Sequence, residues 1–390
     1  MRLRHPIAIV HPARSAFGQL GGILAGYEAH ELLAAIFGKL IDDITGPIDE
    51  VIVGSVRNSL GNIARVAALE ARLPQDIPAM TLDRQCASSM EALATAAAKI
   101  NAGLANQVLV GGVDSASRCP WFMEKTARPY AFFEPRPFKI RMSSDAAGDP
   151  SMGETAEILA DLYAITREAM DLFALQSHQR AVAARERGFY THEIIPLPNS
   201  GKAAATDLSH DETVRGDSSL EMLAKLRPAF RRQGRVTAGN ASPLTDGAAA
   251  ALACSAEACT QNNYQPAGWL QGVATVALDP QHMGMGPALA IPKLLAACAL
   301  QATDIDLFEI NEAFAGQVLA VNHQLNIPSE KLNVNGGAVA IGHPFGATGL
   351  RLIMTLLNAL REHDLQRGVA SLCIGGGQGM AVLVERSLMP

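Results

Sequence analysis

The chain contains 390 residues, of which 48% are hydrophobic and 18% charged, so it can bury large cores and is not a disordered or low-complexity protein. The 32 basic and 38 acidic side chains give a net charge of −6, which argues against a protein that binds nucleic acid over its whole surface. Since no uninterrupted apolar run approaches the roughly 20 residues that span a bilayer, we expect no membrane span.

Short apolar runs alternate with alanine-rich stretches at both ends of the chain, a pattern typical of α/β proteins. The apolar runs predict strands, and apolar residues at helical spacing predict the helices between them. The predicted strands are 7–10, 50–56, 79–83, 107–113, 268–278, 306–310, 370–374 and 380–385, and the predicted helices are 86–101, 155–163, 169–187, 287–300, 312–325 and 346–363.

The middle of the chain, residues 116–236, is richer in charge, proline and turn residues, and it reads as a long excursion from the α/β core. The two ends share a plan. In the N-terminal part, the strand at 79–83 leads to Cys86 at the start of a helix. In the C-terminal part, the strand at 306–310 leads to Asn311. This parallel predicts two halves related by duplication, with the strand before Cys86 matching the strand before Asn311.

Six cysteines are present, and none forms a CxxC pair or a zinc-ligand pattern with nearby histidines. The start of the chain lacks the long apolar stretch of a secretory signal. These features predict a cytoplasmic protein with no metal site and no disulfide scaffold.

The glycine clusters do not match a nucleotide-binding loop, because neither GxGxxG nor GxxxxGK occurs. The cluster GGGQG at 375–379 lies between two predicted strands. It is either a tight hairpin or a place where backbone N–H groups approach a substrate closely.

Four polar residues stand at the ends of predicted elements, and each has two interpretations. Cys86 opens a helix whose dipole favours a thiolate, or it is a buried thiol. His343 is a positioned loop histidine ahead of Pro344, or a turn residue with local partners. Asn311 is a site residue or a helix N-cap, and Cys373 is a site residue or core packing.

Nine blocks of the sequence carry specific motifs, in order from one end to the other. The blocks are DRQCASSMEAL (83–93), GGVDS (111–115), MGETAE (152–157), LRPAF (226–230), VTAGNASPLTDGAAA (236–250), DPQHMGMGP (279–287), NEAFA (311–315), NGGAVAIGHPFGATG (335–349) and CIGGGQG (373–379). Together they resemble the thiolases. NEAFA, GHPxGxxG and CIGGGQG are individually specific, and their conjunction favours the functional interpretation of the four residues.

The resemblance implies a catalytic role for each matching position. Cys86 is implied as the nucleophile that carries the acyl group as a thioester. His343 would activate Cys86 and form an oxyanion hole together with a water held by Asn311. Cys373 is implied as the acid/base that exchanges a proton with the second substrate, and the backbone N–H groups of Cys86 and Gly375 as a second oxyanion hole.

The resemblance also implies a substrate site. Arg215 and Ser242 match positions that contact coenzyme A, and Met152 and Met283 match methionines that line the acyl pocket. Coenzyme A is then a substrate, and no cofactor or metal is implied. The chemistry suits these residue types, because sulfur attacks a ketone to form a thioester, fixed donors hold the enolate, and a thiol can protonate it.

The implied architecture is a thiolase fold of class α/β, with two similar βαβαβαββ halves in αβαβα layers and an inserted loop domain. We expect an N-terminal domain at 1–262, which includes the loop domain at about 116–243, and a C-terminal domain at 263–390. The implied partners are acyl-CoA and further copies of the chain, in a homodimer or homotetramer. Whether a hydratase/dehydrogenase subunit also binds is left open.

The implied activity is acyl-CoA C-acyltransfer, either thiolysis of 3-oxoacyl-CoA or condensation of acetyl-CoA to acetoacetyl-CoA. A ketoacyl synthase of the same fold is the nearest rival, but NEAFA and the second cysteine argue against it. A non-catalytic relative that binds acyl-CoA is the other rival, and the four intact site residues argue against that.

Several positions depart from the usual thiolase pattern and leave chain-length preference and metabolic direction open. Asp83 replaces a common asparagine, Asp114 a usual glutamate, and Ser151 a histidine that is frequent in biosynthetic members. A basic and aromatic segment at 118–141 is interpreted as a solvated loop, a contact for coenzyme A phosphates, an oligomer interface or a lid.

Overall fold

The computed structural model describes residues 1–125, 136–138, 140–197 and 208–388. Much of the basic and aromatic segment, residues 126–135 and 139, lies outside them. All the predicted strands and helices are present, within a few residues of their predicted ends. The elements are β1 (Arg2–Arg14), β2 (Gly18–Gln19), α1 (Ala29–Ile41), β3 (Glu50–Gly54), α2 (Ile63–Glu70), β4 (Ala79–Leu82), α3 (Ser88–Asn101), β5 (Gln107–Asp114), α4 (Met152–Leu162), α5 (Arg167–Glu186), α6 (Leu220–Ala224), β6 (Thr245–Cys254), α7 (Ala256–Gln261), β7 (Gly268–Ala277), α8 (Gly286–Ala297), β8 (Leu307–Ile310), α9 (Ala315–Leu325), α10 (Ala338–Ile341), α11 (Phe345–Glu362), β9 (Arg367–Ile374) and β10 (Gln378–Glu385).

The strands form one path in the order β4-β3-β5-β6-β1-β7-β10-β9-β8, and β2 pairs with β6 beside it. β1 joins the two halves, because it pairs antiparallel with β6 on one side and with β7 on the other. The first half follows the predicted order of elements, β1-α1-β3-α2-β4-α3-β5-β6. In the second half, the third strand is reduced to one parallel bridge between Phe308 and Leu332.

This topology corrects the correspondence between the halves that the sequence suggested. β8 pairs in parallel with β9 as β3 pairs with β5, so β8 is the counterpart of β3 and not of β4. The counterpart of β4 is the bridge at Leu332. The segment after β4 carries Cys86, so its counterpart in the second half is the segment that carries His343, not the one that carries Asn311. A bridge of one residue leaves no apolar run, which is why the sequence did not reveal it.

The central strand β6 was not among the predicted strands, because its sequence TDGAAAALAC is rich in the best helix former. Every residue of β6 is buried, and the strand lies between β5 and β1. α1 and α11 both pack against it. Small side chains on both faces allow that close approach, so packing overrides the local preference for helix.

Three large apolar clusters divide the molecule into layers. One lies between α1, α2 and the first half of the sheet, a second surrounds α3 and α11 in the middle, and a third lies against α8 and α9. This arrangement agrees with the predicted αβαβα order. Among the residues that the structure describes, no helix is long and apolar enough to cross a membrane.

The first turns of the two central helices, α3 and α11, are in van der Waals contact. A β-carbon on Gly112 would lie 2.1 Å from the carbonyl oxygen of Gly346 and 2.4 Å from the β-carbon of Ser89. A β-carbon on Gly349 would lie 2.5 Å from the backbone nitrogen of Met90. Glycine at these positions lets the helices approach, and it brings together the segments that precede them.

We expect Gly112→Ala to lower the free energy of unfolding by at least about 1–3 kcal/mol, because the new methyl group would overlap backbone that has no room to move. Gly38 is the matched control, since a β-carbon there would meet nothing within 4 Å. Gly38 lies inside α1, so Gly38→Ala should instead stabilise the protein by about 0.5–1 kcal/mol. Denaturant unfolding of both variants measures the contrast, and equal effects would contradict it.

Candidate active site

Cys86 lies on a strand–turn–helix junction. β4 leads into a single helical turn at Gln85–Ala87, and α3 begins directly after it. Gln85 has a φ of 46°, a left-handed conformation that is uncommon for a residue other than glycine. The carboxylate of Asp83 stabilises this turn, because its Oδ1 accepts the backbone N–H of Gln85 at 2.6 Å. The turn presents the Cys86 thiol at the end of a rigid strand.

Two backbone N–H groups, those of Gly375 and of Cys86 itself, donate hydrogen bonds to the Cys86 thiol and favour its ionised form. Burial has the larger and opposite effect, and it raises the pKa of Cys86 to about 11. The thiolate expected from the helix start is therefore not the resting form, and Cys86 is a neutral thiol near pH 7. A base must remove its proton before it can attack.

The glycine cluster forms the turn between β9 and β10 and brings Gly375 to Cys86. Gly376 and Gly377 have φ values of 85° and 83°, which an L side chain would strain. The sulfur atoms of Met142 and Met152 lie 3.5 and 3.6 Å from the position that a β-carbon on Gly375 would occupy. The predicted hairpin is present, and two thioethers flank the N–H group that it presents.

Cys373 is near the end of β9, immediately before this turn, and only 1% of it is exposed. Burial raises the pKa of its thiol well above the usual value, and a negative charge on Cys86 raises it further. The two sulfur atoms are therefore close enough to influence each other electrostatically. A thiol in this position holds its proton until an acceptor arrives.

The hydrogen bonds of His343 define its tautomer. The Thr348 hydroxyl donates to the Pro344 carbonyl at 2.8 Å, so its oxygen accepts from His343 Nδ1–H at 2.6 Å. Nε2 then carries the lone pair, which accepts a hydrogen bond from Nδ2–H of Asn311 at 3.3 Å. Burial, together with the positive charge of Arg351, lowers the pKa of His343 to about 3. His343 is a neutral imidazole whose Nε2 is unprotonated.

Asn311 is fully buried in an extended segment beyond β8, where its backbone N–H donates to Ser371 at 2.9 Å. It is not a helix cap, because α9 begins four residues later, at Ala315, and Phe314 is the residue at the N-cap position. The helix-cap interpretation is therefore wrong. Oδ1 of Asn311 has no hydrogen-bond donor among the described residues, so it can accept from a bound water.

The four residues predicted to bind substrate lie at different depths. Met152 begins α4 beside Gly375, and Met283 is 3% exposed in the same apolar cluster as Cys373. Ser242 donates through both its N–H and its hydroxyl to the Ala313 carbonyl, at 3.0 Å each, next to the segment of Asn311. Arg215 is exposed, and its backbone N–H donates to Nδ1 of His178 at 3.2 Å.

Sequence reasoning missed two residues of the site. Met142 lies outside the recognised blocks, in the excursion between β5 and β6, and no sequence signal marks it. Thr348 lies inside GHPFGATG, where its place in the first turn of the helix that follows His343 could have indicated a partner for the imidazole.

The arrangement offers a definite set of chemical functions. The segments that carry the two thiols, the imidazole and the N–H groups of Cys86 and Gly375 pack together where α3 and α11 begin, and both helix dipoles favour negative charge there. Within the described part of the chain, no group of three or more His, Cys, Asp or Glu side chains is arranged to hold a metal ion. The site can form a thioester, stabilise an oxyanion and move a proton.

Comparison with known sequences gives a consistent result. The family model for the thiolase N-terminal domain matches residues 7–257, and that for the C-terminal domain matches residues 264–386. An acetyl-CoA acetyltransferase from Pseudomonas aeruginosa is 41% identical over 389 residues, which cover 97% of this chain and 99% of the relative. A beta-ketoadipyl-CoA thiolase from the same bacterium is 39% identical over 403 residues, with the same shares covered.

Solved structures agree with the sequences. An acetyl-CoA acetyltransferase from Bacillus anthracis superposes with a TM-score of 0.91 at 38% identity, over 99% of this chain and 100% of that chain. Human mitochondrial 3-ketoacyl-CoA thiolase in complex with CoA gives a TM-score of 0.92 at 35% identity, over 100% of both chains. The predicted fold is confirmed.

Proposed function

The chain belongs to the thiolase family and is an acyltransferase, and we propose that its Cys86 carries the acyl group between two coenzyme A thiols. The reaction is the reversible thiolytic cleavage of 3-oxoacyl-CoA, which in reverse condenses two molecules of acetyl-CoA. One observation carries the assignment to Cys86. The N–H groups of Cys86 and Gly375 both donate to its sulfur atom, and a negative charge on that sulfur raises the pKa of Cys373.

In the first half-reaction, Nε2 of His343 removes the proton from Cys86, whose sulfur then attacks the 3-oxo carbon. The protonated His343 becomes an N–H donor beside Asn311, so the same nitrogen that served as base stabilises the oxyanion. The bond between C2 and C3 breaks, and the electron pair passes to C2 of the departing acetyl-CoA as an enolate. Cys373 protonates C2, and acetyl-CoA leaves.

In the second half-reaction, the Cys373 thiolate takes the proton of coenzyme A, and the new thiolate attacks the thioester on Cys86. The N–H groups of Cys86 and Gly375 stabilise the oxyanion of that tetrahedral intermediate. The acyl group leaves as acyl-CoA, and the expelled Cys86 thiolate takes back the proton held by His343, which restores the thiol and the neutral imidazole. Because the pKa of Cys373 is raised, its thiolate is a strong enough base for this step.

The proposed substrate site follows the same geometry. Arg215 is exposed, so its guanidinium is available for the phosphates of coenzyme A. Met152 flanks Gly375 next to the nucleophile, and Met283 is buried beside Cys373, which suits the wall of an acyl pocket. Ser242 lies close to Asn311 along the same segment. The human relative whose structure contains CoA matches this chain over its full length.

We also propose that the enzyme acts in the cytoplasm as a homodimer or homotetramer in fatty acid metabolism. The mean hydropathy of +0.13 supports a subunit interface, and the cysteine pattern supports a reducing compartment.

A single experiment tests the proposed function. After incubation with acetyl-CoA, acid quench, proteolysis and mass spectrometry, we expect one acetyl thioester, on the peptide that contains Cys86. The other five cysteines are internal controls in the same digest. Acetylation mainly at Cys373, or at no cysteine, would contradict the assignment. Loss of acetoacetyl-CoA absorbance on addition of free coenzyme A separates a thiolase from both a ketoacyl synthase and a non-catalytic relative.

A further inference from the structure

Asp114, the last residue of β5, has a carboxylate that joins the two halves of the fold. It is 4% exposed and accepts hydrogen bonds from four donors. Three of them belong to the segment that follows β3: the Ser55 hydroxyl at 3.2 Å, the Val56 N–H at 3.1 Å and the Arg57 N–H at 2.9 Å. The carboxylate is thereby fixed to the half that carries Cys86.

The fourth donor belongs to the other half. The N–H of Gly346, in the first turn of α11, donates to Oδ2 of Asp114 at 2.7 Å, the shortest of the four bonds. An N–H in the first turn of a helix has no partner within the helix, so a carboxylate is the natural acceptor. His343 lies three residues before Gly346, and the Asp114 bond therefore holds the helix start next to this imidazole.

A second contact runs alongside the first. The guanidinium of Arg57 lies over the ring of Phe345 at 5.8 Å, and that ring meets His343 edge to face at 5.1 Å. The same loop that binds Asp114 thus also supports the imidazole through Phe345. Both contacts cross from the Cys86 half to the His343 half.

From these contacts we propose that Asp114 is a positioning residue. It fixes His343 relative to Cys86 by holding the first turn of α11 against the carboxyl ends of β3 and β5. The inference rests on the proposed function, in which His343 is the base for Cys86. Asp114 does not touch the reacting atoms, and it acts through Gly346.

The role requires a carboxylate rather than any small polar group. Four donors converge on two acceptor oxygens, and an amide offers only one such oxygen. In Asp114→Asn, an NH₂ group would face the N–H of Gly346 or of the loop at Val56 and Arg57, and at least one bond would be lost. Burial raises the pKa of Asp114 to about 6, so the group is mostly ionised at neutral pH.

The test distinguishes the rate at which Cys86 is acetylated from the final fraction that becomes acetylated. Rapid-quench mass spectrometry follows acetylation of Cys86 by acetyl-CoA, and steady-state thiolysis gives kcat and KM. For Asp114→Asn, we expect the same final fraction of acetylated Cys86 but a rate constant and kcat lower by about 10–100-fold, with KM within about twofold, as for a displaced catalytic group. Asp114→Glu keeps the carboxylate at the length that is usual in thiolases, and it should restore most of the rate.

Ser55→Ala is the matched control, because it removes one donor from the same carboxylate and leaves the link to α11 intact. It should keep the acetylation rate within about twofold. An acetylation rate near that of the wild type in Asp114→Asn would overturn the inference, and so would a loss of acetylated fraction alone or a variant that does not fold, since these indicate a role in stability. No thioester in the wild-type protein would instead overturn the proposed function, and the inference with it.

Discussion

The Cys86→Ser variant is expected to fold normally and to lose at least about a thousandfold in thiolysis of acetoacetyl-CoA. A serine hydroxyl is far less acidic than a thiol. His343, the base assigned to this position, would have to remove a proton from this much less acidic group, and an un-ionised hydroxyl is a weak nucleophile. The smaller oxygen also leaves the N–H groups of Cys86 and Gly375 farther from the attacking atom. Absorbance of acetoacetyl-CoA in the presence of coenzyme A measures the loss.

Cys119→Ser provides the control for that experiment. Cys119 is also partly exposed, and among the described residues its thiol donates to the carbonyl of its neighbour Pro120. Its variant should retain the wild-type rate, and both variants should melt within a few degrees of the wild type. Turnover by Cys86→Ser within about tenfold of the wild type would remove Cys86 from the mechanism.

The Cys373→Ala variant is expected to separate the two half-reactions. Overall thiolysis and condensation should fall by about 10²–10⁴-fold, because C2 of acetyl-CoA loses its proton donor and acceptor. Transfer of acetyl from acetyl-CoA to Cys86 needs no proton exchange at C2, so the thioester should still form in part. Mass spectrometry of the thioester and the absorbance assay, run on one preparation, measure the two quantities.

Cys298→Ala controls for the loss of a buried thiol in the same half of the fold. Cys298 is 7% exposed and follows α8, away from the turn that carries Gly375. The Cys298→Ala variant should lose some stability but retain both acetyl transfer to Cys86 and overall turnover of acetoacetyl-CoA. If Cys373→Ala cleaved acetoacetyl-CoA at a rate near that of the wild type, the acid/base role of Cys373 would be wrong.

The sequence predicted the elements whose burial requires a regular apolar pattern. β3, β5, β9 and β10 appear as apolar runs, and α3 and α11 as helical spacing, because burial requires those patterns locally. β6 did not appear, since its alanines are chosen for contact with α1 and α11 rather than for strand propensity. The correspondence of β8 with β3 also depended on pairing, which a sequence pattern does not contain.

The site likewise combines features that the sequence predicts with features that depend on tertiary packing. Cys86, Asn311, His343 and Cys373 could be selected from the sequence, because each stands in a specific motif. The protonation states and tautomers of these residues could not be predicted from the sequence. The pKa of Cys86 is raised by burial despite the helix start, and the tautomer of His343 depends on Thr348.

The sequence by itself determined the family, the types of chemical group and the order in which strands and helices present them. Only the tertiary structure decided that Asn311 is not a helix cap and that Asp114 holds Gly346 across the junction of the halves. Local sequence controls backbone preference over a few neighbouring residues. Proton affinity and orientation depend instead on groups that are distant along the chain and meet when the two halves pack together.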